Sequence, residues 1–121
     1  MAGGPADRDG ITLEDLSERL RRFRDARDWR KFHSPQNLAA ALSVEAGEVL
    51  EHFLWPSSGS GSDRDEGPTD EIAEELADVA IYLLYLADVL EIDLARTITA
   101  KIDSNEDRFP VEAVRGRPRL P

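Results

Sequence analysis

Residues 70–90 read DEIAEELADVAIYLLYLADVL, and this stretch decides the fold class. The segment follows Thr69 and opens with acidic residues, which the dipole of a helix favours in its first turns. From Val79 to Leu90 it is apolar on nearly every side, so it predicts one long α-helix. A helix that is apolar all round must be covered all round. Because four helices in 121 residues can hardly supply that cover, we also expect oligomerisation.

A first helix is predicted from Thr12 to about Arg27. Thr12 can cap it together with Asp15, and apolar residues recur at helical spacing, at Leu13, Leu16, Leu20 and Phe23. The aromatic and basic segment 29–33 that follows is typical of a loop. Charges of both signs are interleaved from Arg19 to Lys31, which indicates a solvated helix face.

The pair Ser34 and Pro35 is typical of a helix start. A capping hydroxyl precedes a proline, which needs no N–H at the first helical position. The second helix is expected to run to about Leu54, because the residue before Pro56 is pushed away from helical geometry.

A fourth helix is expected from the cap Asp93 to about Phe109, and no stretch alternates as a strand would. The predicted class is therefore all-α, with four helices. The expected organisation is a disordered tail over residues 1–11, a helical domain over 12–110 with a flexible Ser/Gly/acidic loop at 57–68, and an extended basic tail over 111–121.

The composition excludes several classes of protein. The net charge is −10, from 25 acidic and 15 basic residues, which argues against a binder of duplex nucleic acid. No apolar run approaches the length of a membrane span, and Met1–Gly10 lacks the apolar core of a secretory signal. The sequence has no cysteine, which removes disulfides and thiolate chemistry. A cytoplasmic location is the resulting expectation.

Two pairs of carboxylates carry the candidate chemistry: Glu45 with Glu48, and Glu75 with Asp78. Side chains three residues apart share one face of a helix, so antiparallel packing of the two helices would bring all four together. Single pairs of this kind are common on solvated faces, but both of these interrupt apolar sequence. Their mutual repulsion calls for a cation, and oxygen ligands without His or Cys favour Mg²⁺ or Mn²⁺. Glu51 and Glu74 extend the cluster and could support the ligands.

Three blocks of the sequence resemble one known family. They are DWRKFHSPQNLAAALSVEAGEVLEHFLW at 28–55, EELADVAIYLLYLA at 74–87 and KIDSNEDRFPV at 101–111. They resemble the MazG-like superfamily of all-α nucleoside triphosphate pyrophosphohydrolases, and within it the dCTP pyrophosphatase branch. The resemblance implies a four-helix MazG-like bundle that assembles as a dimer or a dimer of dimers.

The resemblance also implies a reaction. Glu45, Glu48, Glu75 and Asp78 would coordinate Mg²⁺ that bridges the triphosphate, and an activated water would attack the α-phosphorus and release pyrophosphate. The catalytic assignment falls on Glu48, as general base, and on Glu45. The expected substrate is dCTP or a modified pyrimidine deoxynucleotide, removed to cleanse the nucleotide pool. Which glutamate is the base, and which nucleobase is preferred, are left open by the sequence.

Further residues are expected to bind the substrate. By the resemblance, Lys101, Asn105 and Arg108 contact phosphates and sugar. Aromatic and histidine side chains suit a nucleobase, and those expected at the site are Trp29, His33, Trp55 and Tyr82. Asn37 either lines the pocket or caps locally, and His52 is interpreted as a surface or interface histidine.

Other functions compete with this one. A di-iron carboxylate bundle needs Glu-x-x-His motifs, and neither of the two histidines lies three residues after a glutamate. A non-catalytic helical module for interaction or nucleotide binding would use the acidic pairs only to bind basic groups of a partner. A family member without turnover is a third alternative.

Overall fold

The computed structural model describes residues 10–54 and 69–117, and every regular element in these two ranges is helical. The all-α prediction is confirmed. We label the α-helices in chain order. They are α1 (Leu13–Ala26), α2 (Pro35–Leu54), α3 (Asp70–Val89), α4 (Leu94–Arg108) and the short α5 (Val111–Val114), with a 3₁₀ turn at Arg30–Phe32 between α1 and α2.

The predicted caps begin the four long helices. Thr12 and Asp15 form a reciprocal capping box, with each backbone N–H donating to the other side chain at 3.0 Å. Single side-chain caps accept from the third helical residue at the other three starts, and these are Ser34, Thr69 and Asp93. Since each cap satisfies a backbone donor that has no partner inside the helix, these residues fix where the helices begin.

Two segments differ from the sequence prediction. Residues 29–33, expected to be a loop, contain the 3₁₀ turn, which is tied to α1 because Trp29 N–H donates to the carbonyl of Arg24 at 3.1 Å. The tail after Pro110 is not extended throughout, since Val111–Val114 is helical. Pro110 suits the place directly before this helix, because the hydrogen bonds inside the helix need no N–H there. The predicted loop 57–68 and residues 1–9 of the predicted tail lie outside the described residues.

The chain forms two compact units, the first ending at Glu91 and the second beginning at Ile92. The first contains α1, α2 and α3. Its most extensive packing is between α2 and α3, and α1 packs against α3. His52 near the end of α2 contacts Glu75 near the start of α3, so these two helices run antiparallel. The second unit contains α4 and α5.

Polar contacts fasten α1 to α3. The hydroxyl of Tyr85 donates to the carbonyl of Leu20 at 2.8 Å, and the carboxylate of Asp88 accepts from Arg21 at 2.8 Å and from Arg24 at 3.2 Å. Arg24 is only 1% exposed, so the interpretation of residues 19–31 as a uniformly solvated face is wrong at this position. A buried guanidinium needs partners on several sides, and Asp25 supplies another at 2.8 Å.

Burial of apolar side chains within the described part of the chain is incomplete. Leu38 is 2% exposed, and the buried residues of α3 are Ile72, Leu84, Tyr85 and Ala87. Leu76 on the same helix remains 51% exposed. The all-round apolar character of α3 is therefore not covered by the described chain alone, and oligomerisation stays a prediction. In the described ranges no helix is both long enough and apolar enough to cross a membrane.

Replacing Tyr85 with Phe should lower the free energy of unfolding by about 1 kcal/mol, because the part-buried carbonyl of Leu20 loses its side-chain donor. Urea unfolding at fixed protein concentration measures the change. Tyr82→Phe is the matched control, since the hydroxyl of Tyr82 donates to no residue that the structure describes. Equal losses in the two variants would contradict a specific role for the Tyr85 hydroxyl.

Candidate functional site

Helices α2 and α3 bring the four predicted carboxylates into one neighbourhood. Glu45 and Glu48 lie on α2, and Glu75 and Asp78 lie on α3, with Asp78 the most exposed of the four. The pKa of the Glu45 carboxyl is raised above its usual value, first by partial burial and then by the negative charges of Glu48, Asp78 and Glu75. Each pair sits on one helix face because its members are three residues apart, and the antiparallel packing makes the faces meet.

The four carboxylates lie near one another, but their side chains do not form a closed set of metal ligands. In 10–54 and 69–117, no three acidic or histidine side chains converge closely enough to hold one cation as they stand. The donor set nevertheless suits a hard divalent cation, because it consists of carboxylate oxygens whose mutual repulsion a cation would relieve.

His52 is a site residue that the sequence interpretation missed. It is not a plain surface histidine, because its Nε2 hydrogen-bonds the Oε2 of Glu75, and both side chains are about three-quarters buried. His52 follows Glu48 by four residues, so the two share one face of α2. That spacing was a usable signal for placing His52 beside the carboxylates.

A cavity of about 610 Å³ lies between α1 and α3. This volume is within the range of small-molecule sites, and its walls are mainly apolar and aromatic. Six of its lining residues matter here: Phe23, Trp29, His33, Asp78, Tyr82 and Tyr85. Because Asp78 belongs both to the cavity wall and to the carboxylate group, the cavity adjoins the acidic site.

Three of the residues expected to bind substrate therefore line the cavity: Trp29, His33 and Tyr82. Phe23 was assigned to the apolar stripe of α1, but it lines the cavity as well and meets Trp29 edge-on at 5.8 Å between ring centroids. Tyr85, which the sequence analysis did not single out, contacts His33 edge-on at 4.6 Å. Tyr85 lies one helical turn after Ile81 on α3, and this spacing could have predicted that it shares the face that lines the cavity.

His33 is held in an environment that disfavours its charged form. Burial and, to a lesser extent, the positive charge of Arg24 lower the pKa of its imidazole. Its Nδ1 is shut off from solvent and has no partner among the described residues. The environment of His33 therefore favours the neutral form of its ring, and one ring nitrogen is enclosed by protein.

The other predicted site residues belong to the second unit or lie outside the described residues. Lys101 and Arg108 are exposed on α4, Asn105 is half-buried there, and all three belong to the second unit. The guanidinium of Arg108 lies over the ring of Phe109, 4.9 Å from its centroid. Their contact with phosphates and sugar stays a prediction. Trp55 lies outside the described residues.

The structure also describes the positions of Asn37, Glu51 and Glu74. Asn37 caps locally, since its side-chain amide donates to the carbonyl of Phe32 at 3.1 Å. Glu51 and Glu74 are exposed, and neither makes a side-chain hydrogen bond or ion pair within the described ranges. Their support of the metal ligands therefore stays a prediction.

Fold and site together define a class: an all-α protein in which two packed helices present paired carboxylates beside an aromatic-walled cavity. The comparison with known families agrees with that class. The chain belongs to the MazG-like family, whose sequence model matches residues 40–117.

Curated relatives of the chain are named dCTP pyrophosphatase 1. The protein of Rattus norvegicus is 42% identical over 107 residues, which are 87% of this chain and 63% of the relative. That of Homo sapiens is 39% identical over 110 residues, 89% of this chain and 65% of the relative. The chain thus spans slightly less than two thirds of the length of these curated relatives.

A solved structure supports the fold. The crystal structure of a pyrophosphatase from Archaeoglobus fulgidus superposes with a TM-score of 0.71 at 44% sequence identity. The match covers 81% of this chain and 92% of the archaeal chain.

Lowering the pH from 7.5 to 5.5 should weaken the fold more in the wild type than in His33→Gln. The pKa of His33 is lowered in the fold, so below the ordinary value of about 6.5 the unfolded chain takes up a proton that the folded chain resists. The stability contributed by this group is complete above that value and is lost as the pH falls toward the lower folded pKa. Urea unfolding of both proteins at the two pH values measures the difference, and identical pH dependence would contradict the assignment.

Proposed function

We propose that this chain is a Mg²⁺-dependent pyrophosphohydrolase that converts a deoxynucleoside triphosphate into the monophosphate and pyrophosphate. The observation that carries the proposal is that two carboxylate pairs lie near one another beside a cavity whose volume is within the range of small-molecule sites. Relatives named dCTP pyrophosphatase make dCTP, or a modified pyrimidine deoxynucleotide, the first substrate to test.

Glu45, Glu48, Glu75 and Asp78 are the residues that would hold the cation. When bound, Mg²⁺ or Mn²⁺ would neutralise phosphate charge and make water more acidic. Burial and the negative charges of the other three carboxylates raise the pKa of Glu45, and a cation at this place would offset that repulsion. His52 would orient Glu75 through their hydrogen bond, as partners of ligating carboxylates commonly do.

Glu48 is the proposed general base, with Glu45 beside it. A water oxygen forms a bond to the α-phosphorus while Glu48 takes the water's proton. The bond from the α-phosphorus to its bridging oxygen breaks, and pyrophosphate leaves with the electron pair. A carboxylate serves this purpose because it is ionised near neutral pH and can lie on the face from which the water approaches.

The cavity is the proposed site of the nucleobase. Phe23 and Trp29 supply aromatic surface on one wall, and Tyr82 lies on the opposite helix. A flat base gains stacking and apolar burial in such a space. Lys101, Asn105 and Arg108 are proposed to contact phosphates and sugar, and Trp55 is proposed to stack at the base. The proposed role is removal of unwanted deoxynucleotides from the pool.

We also propose that the chain works as a homo-oligomer, a dimer or a dimer of dimers. Support comes from apolar side chains left exposed on the two helices that carry the site, namely Val44, Leu50 and Phe53 on α2 and Leu76 and Leu83 on α3. Contiguous exposed apolar surface is typical of protein–protein contacts, and a second copy of the chain would cover these side chains.

Glu48→Gln should lower kcat by a factor of about 100 or more, because the amide cannot accept the water's proton. The assay incubates each dNTP with Mg²⁺ and quantifies pyrophosphate and monophosphate. Glu18→Gln is the matched control, since Glu18 is exposed on α1 and pairs with Arg22 away from the site. Chelation of divalent cations should abolish turnover in the wild type. Release of single orthophosphate, or full activity in Glu48→Gln, would overturn the mechanism.

The same assay distinguishes the proposed pyrophosphohydrolase from a non-catalytic module. Such a module would show neither metal-dependent turnover nor an increase in melting temperature with dNTP and Mg²⁺.

Sedimentation velocity at micromolar concentration should show a dimer or tetramer. Leu76→Lys should shift the distribution toward smaller species, because it places a charge on the exposed apolar face of α3. Glu71→Gln on the same helix, which also makes the net charge one unit more positive, is the control for a change of charge alone. A wild-type protein that sediments as a monomer would contradict the proposed assembly.

A further inference from the structure

Helix α1 carries four arginines, and the proposed reaction uses none of them. Arg19 differs from the others because it lines the cavity between α1 and α3 and is exposed there. It forms no ion pair or side-chain hydrogen bond with any residue that the structure describes. The other three bind carboxylates: Arg21 binds Glu14 and Asp88, Arg22 binds Glu18, and Arg24 binds Asp25 and Asp88.

The partners that α1 could offer to Arg19 are used by other residues. Asp15 lies four residues earlier, which is the spacing at which an acidic residue pairs best with a basic one. Its carboxylate instead accepts from the backbone N–H of Thr12 at 3.0 Å, in the capping box. Phe23 lies four residues later, and the guanidinium carbon of Arg27 lies 3.6 Å from the centroid of its ring. The guanidinium of Arg19 is therefore left to bind solvent or a ligand.

Arg19 shares the cavity with a residue of opposite charge. Among the described residues that line the cavity, it alone carries a permanent positive charge, and Asp78 lines the cavity from α3. The two side chains do not pair with each other. The space between them suits a group that is negative on the side of Arg19 and positive on the side of Asp78. A phosphate that carries a divalent cation has this polarity.

The direction of α1 places the guanidinium of Arg19 toward the carboxylates. Helices α1 and α3 run in the same direction, because the contacts between them advance along both helices. These contacts join Leu20 to Tyr85 and Arg24 to Asp88. Asp78 lies seven residues before Tyr85, so the acidic end of the cavity is toward the N-termini of both helices. Since long side chains on a helix lean toward its N-terminus, Arg19 extends toward the acidic end of the cavity.

We propose that Arg19 is a substrate-binding residue whose guanidinium donates hydrogen bonds to phosphate oxygens of the substrate's triphosphate. This inference rests on the proposed function. A guanidinium can donate two parallel hydrogen bonds to one phosphate, and such charge-assisted bonds are among the stronger ones in proteins. Arg19 would bind the triphosphate from the side of α1, opposite the carboxylates of α2 and α3.

Substitutions at Arg19 test this contact. We expect KM for dCTP in the presence of Mg²⁺ to rise about 10-fold in Arg19→Gln, because the charged donor is lost. The rise should be smaller, about 3-fold, in Arg19→Lys, since lysine keeps the charge but not the paired donors. Arg22→Gln is the matched control, because it removes the same charge from α1 at a residue that pairs with Glu18. An unchanged KM in Arg19→Gln, or an equal rise in Arg22→Gln, would overturn the inference.

A probe without a base distinguishes a phosphate contact from a base contact. Inorganic tripolyphosphate with Mg²⁺ should inhibit the hydrolysis of dCTP competitively, and titration calorimetry measures its binding without turnover. We expect its Kd to rise in Arg19→Gln by about the same factor as KM for dCTP. If tripolyphosphate binds both proteins equally while KM for dCTP differs, Arg19 contacts the base or the sugar and the inference is wrong. Failure of tripolyphosphate to bind the wild type would also overturn it.

A stability measurement excludes a purely structural role. The midpoint of urea unfolding should be the same in the wild type and in Arg19→Gln, because no described residue loses a partner. A clear fall of the midpoint in Arg19→Gln would contradict the assignment of Arg19 to substrate binding.

The two proposals fail differently. If the wild type hydrolyses no dNTP, the proposed function is wrong, whatever the behaviour of Arg19→Gln. If the wild type hydrolyses dCTP and Glu48→Gln loses that activity, but Arg19→Gln keeps the KM of the wild type, only the role of Arg19 is wrong.

Discussion

The carboxylate of Asp88 holds α1 against α3 by accepting one hydrogen bond from Arg21 and another from Arg24. Arg24 is almost completely buried, so removing its partner would leave a charge without water or a counter-ion. The cavity exists because α1 is fixed at this distance from α3, with the Tyr85 hydroxyl as a second fastening. Burial and, after it, the charge of the same guanidinium lower the pKa of the neighbouring imidazole of His33. The architecture of the first unit and the electrostatics of its cavity thus depend on one cluster of charges.

The features that the sequence predicted well are local ones. Thr12 with Asp15 form a capping box three residues apart, and both bonds of that box are present. The spacing of Glu45 from Glu48 needs only the periodicity of a helix to put both on one face. The ends of α1 and α4 also follow from nearby residues, since apolar periodicity stops and a proline follows α4.

The features that the sequence could not predict depend on partners distant in the chain. Arg24 looked like one more solvated charge, because its partner Asp88 is 64 residues away on another helix. His52 lay on the right face of α2, but only packing against α3 shows that it contacts Glu75. The 3₁₀ turn at Arg30–Phe32 is stabilised by the hydrogen bond from the backbone N–H of Trp29 to the carbonyl of Arg24. No short sequence motif predicts this turn. The cavity likewise arises from helix packing rather than from any single segment.

The contact between His52 and Glu75 has a consequence for how the family can vary. It holds α2 against α3 beside the carboxylates, close to the residues where the chain leaves one helix and enters the other. The entropy of closing a connecting segment grows only with the logarithm of its length, at about 0.6 kcal/mol for each doubling. Because the two helices are fastened to each other at this point, insertions or deletions in the connection between them change chain entropy slightly and leave the acidic pairs in register. Changes in the length of this connection should therefore cost less stability than substitutions on the helix faces on either side of it.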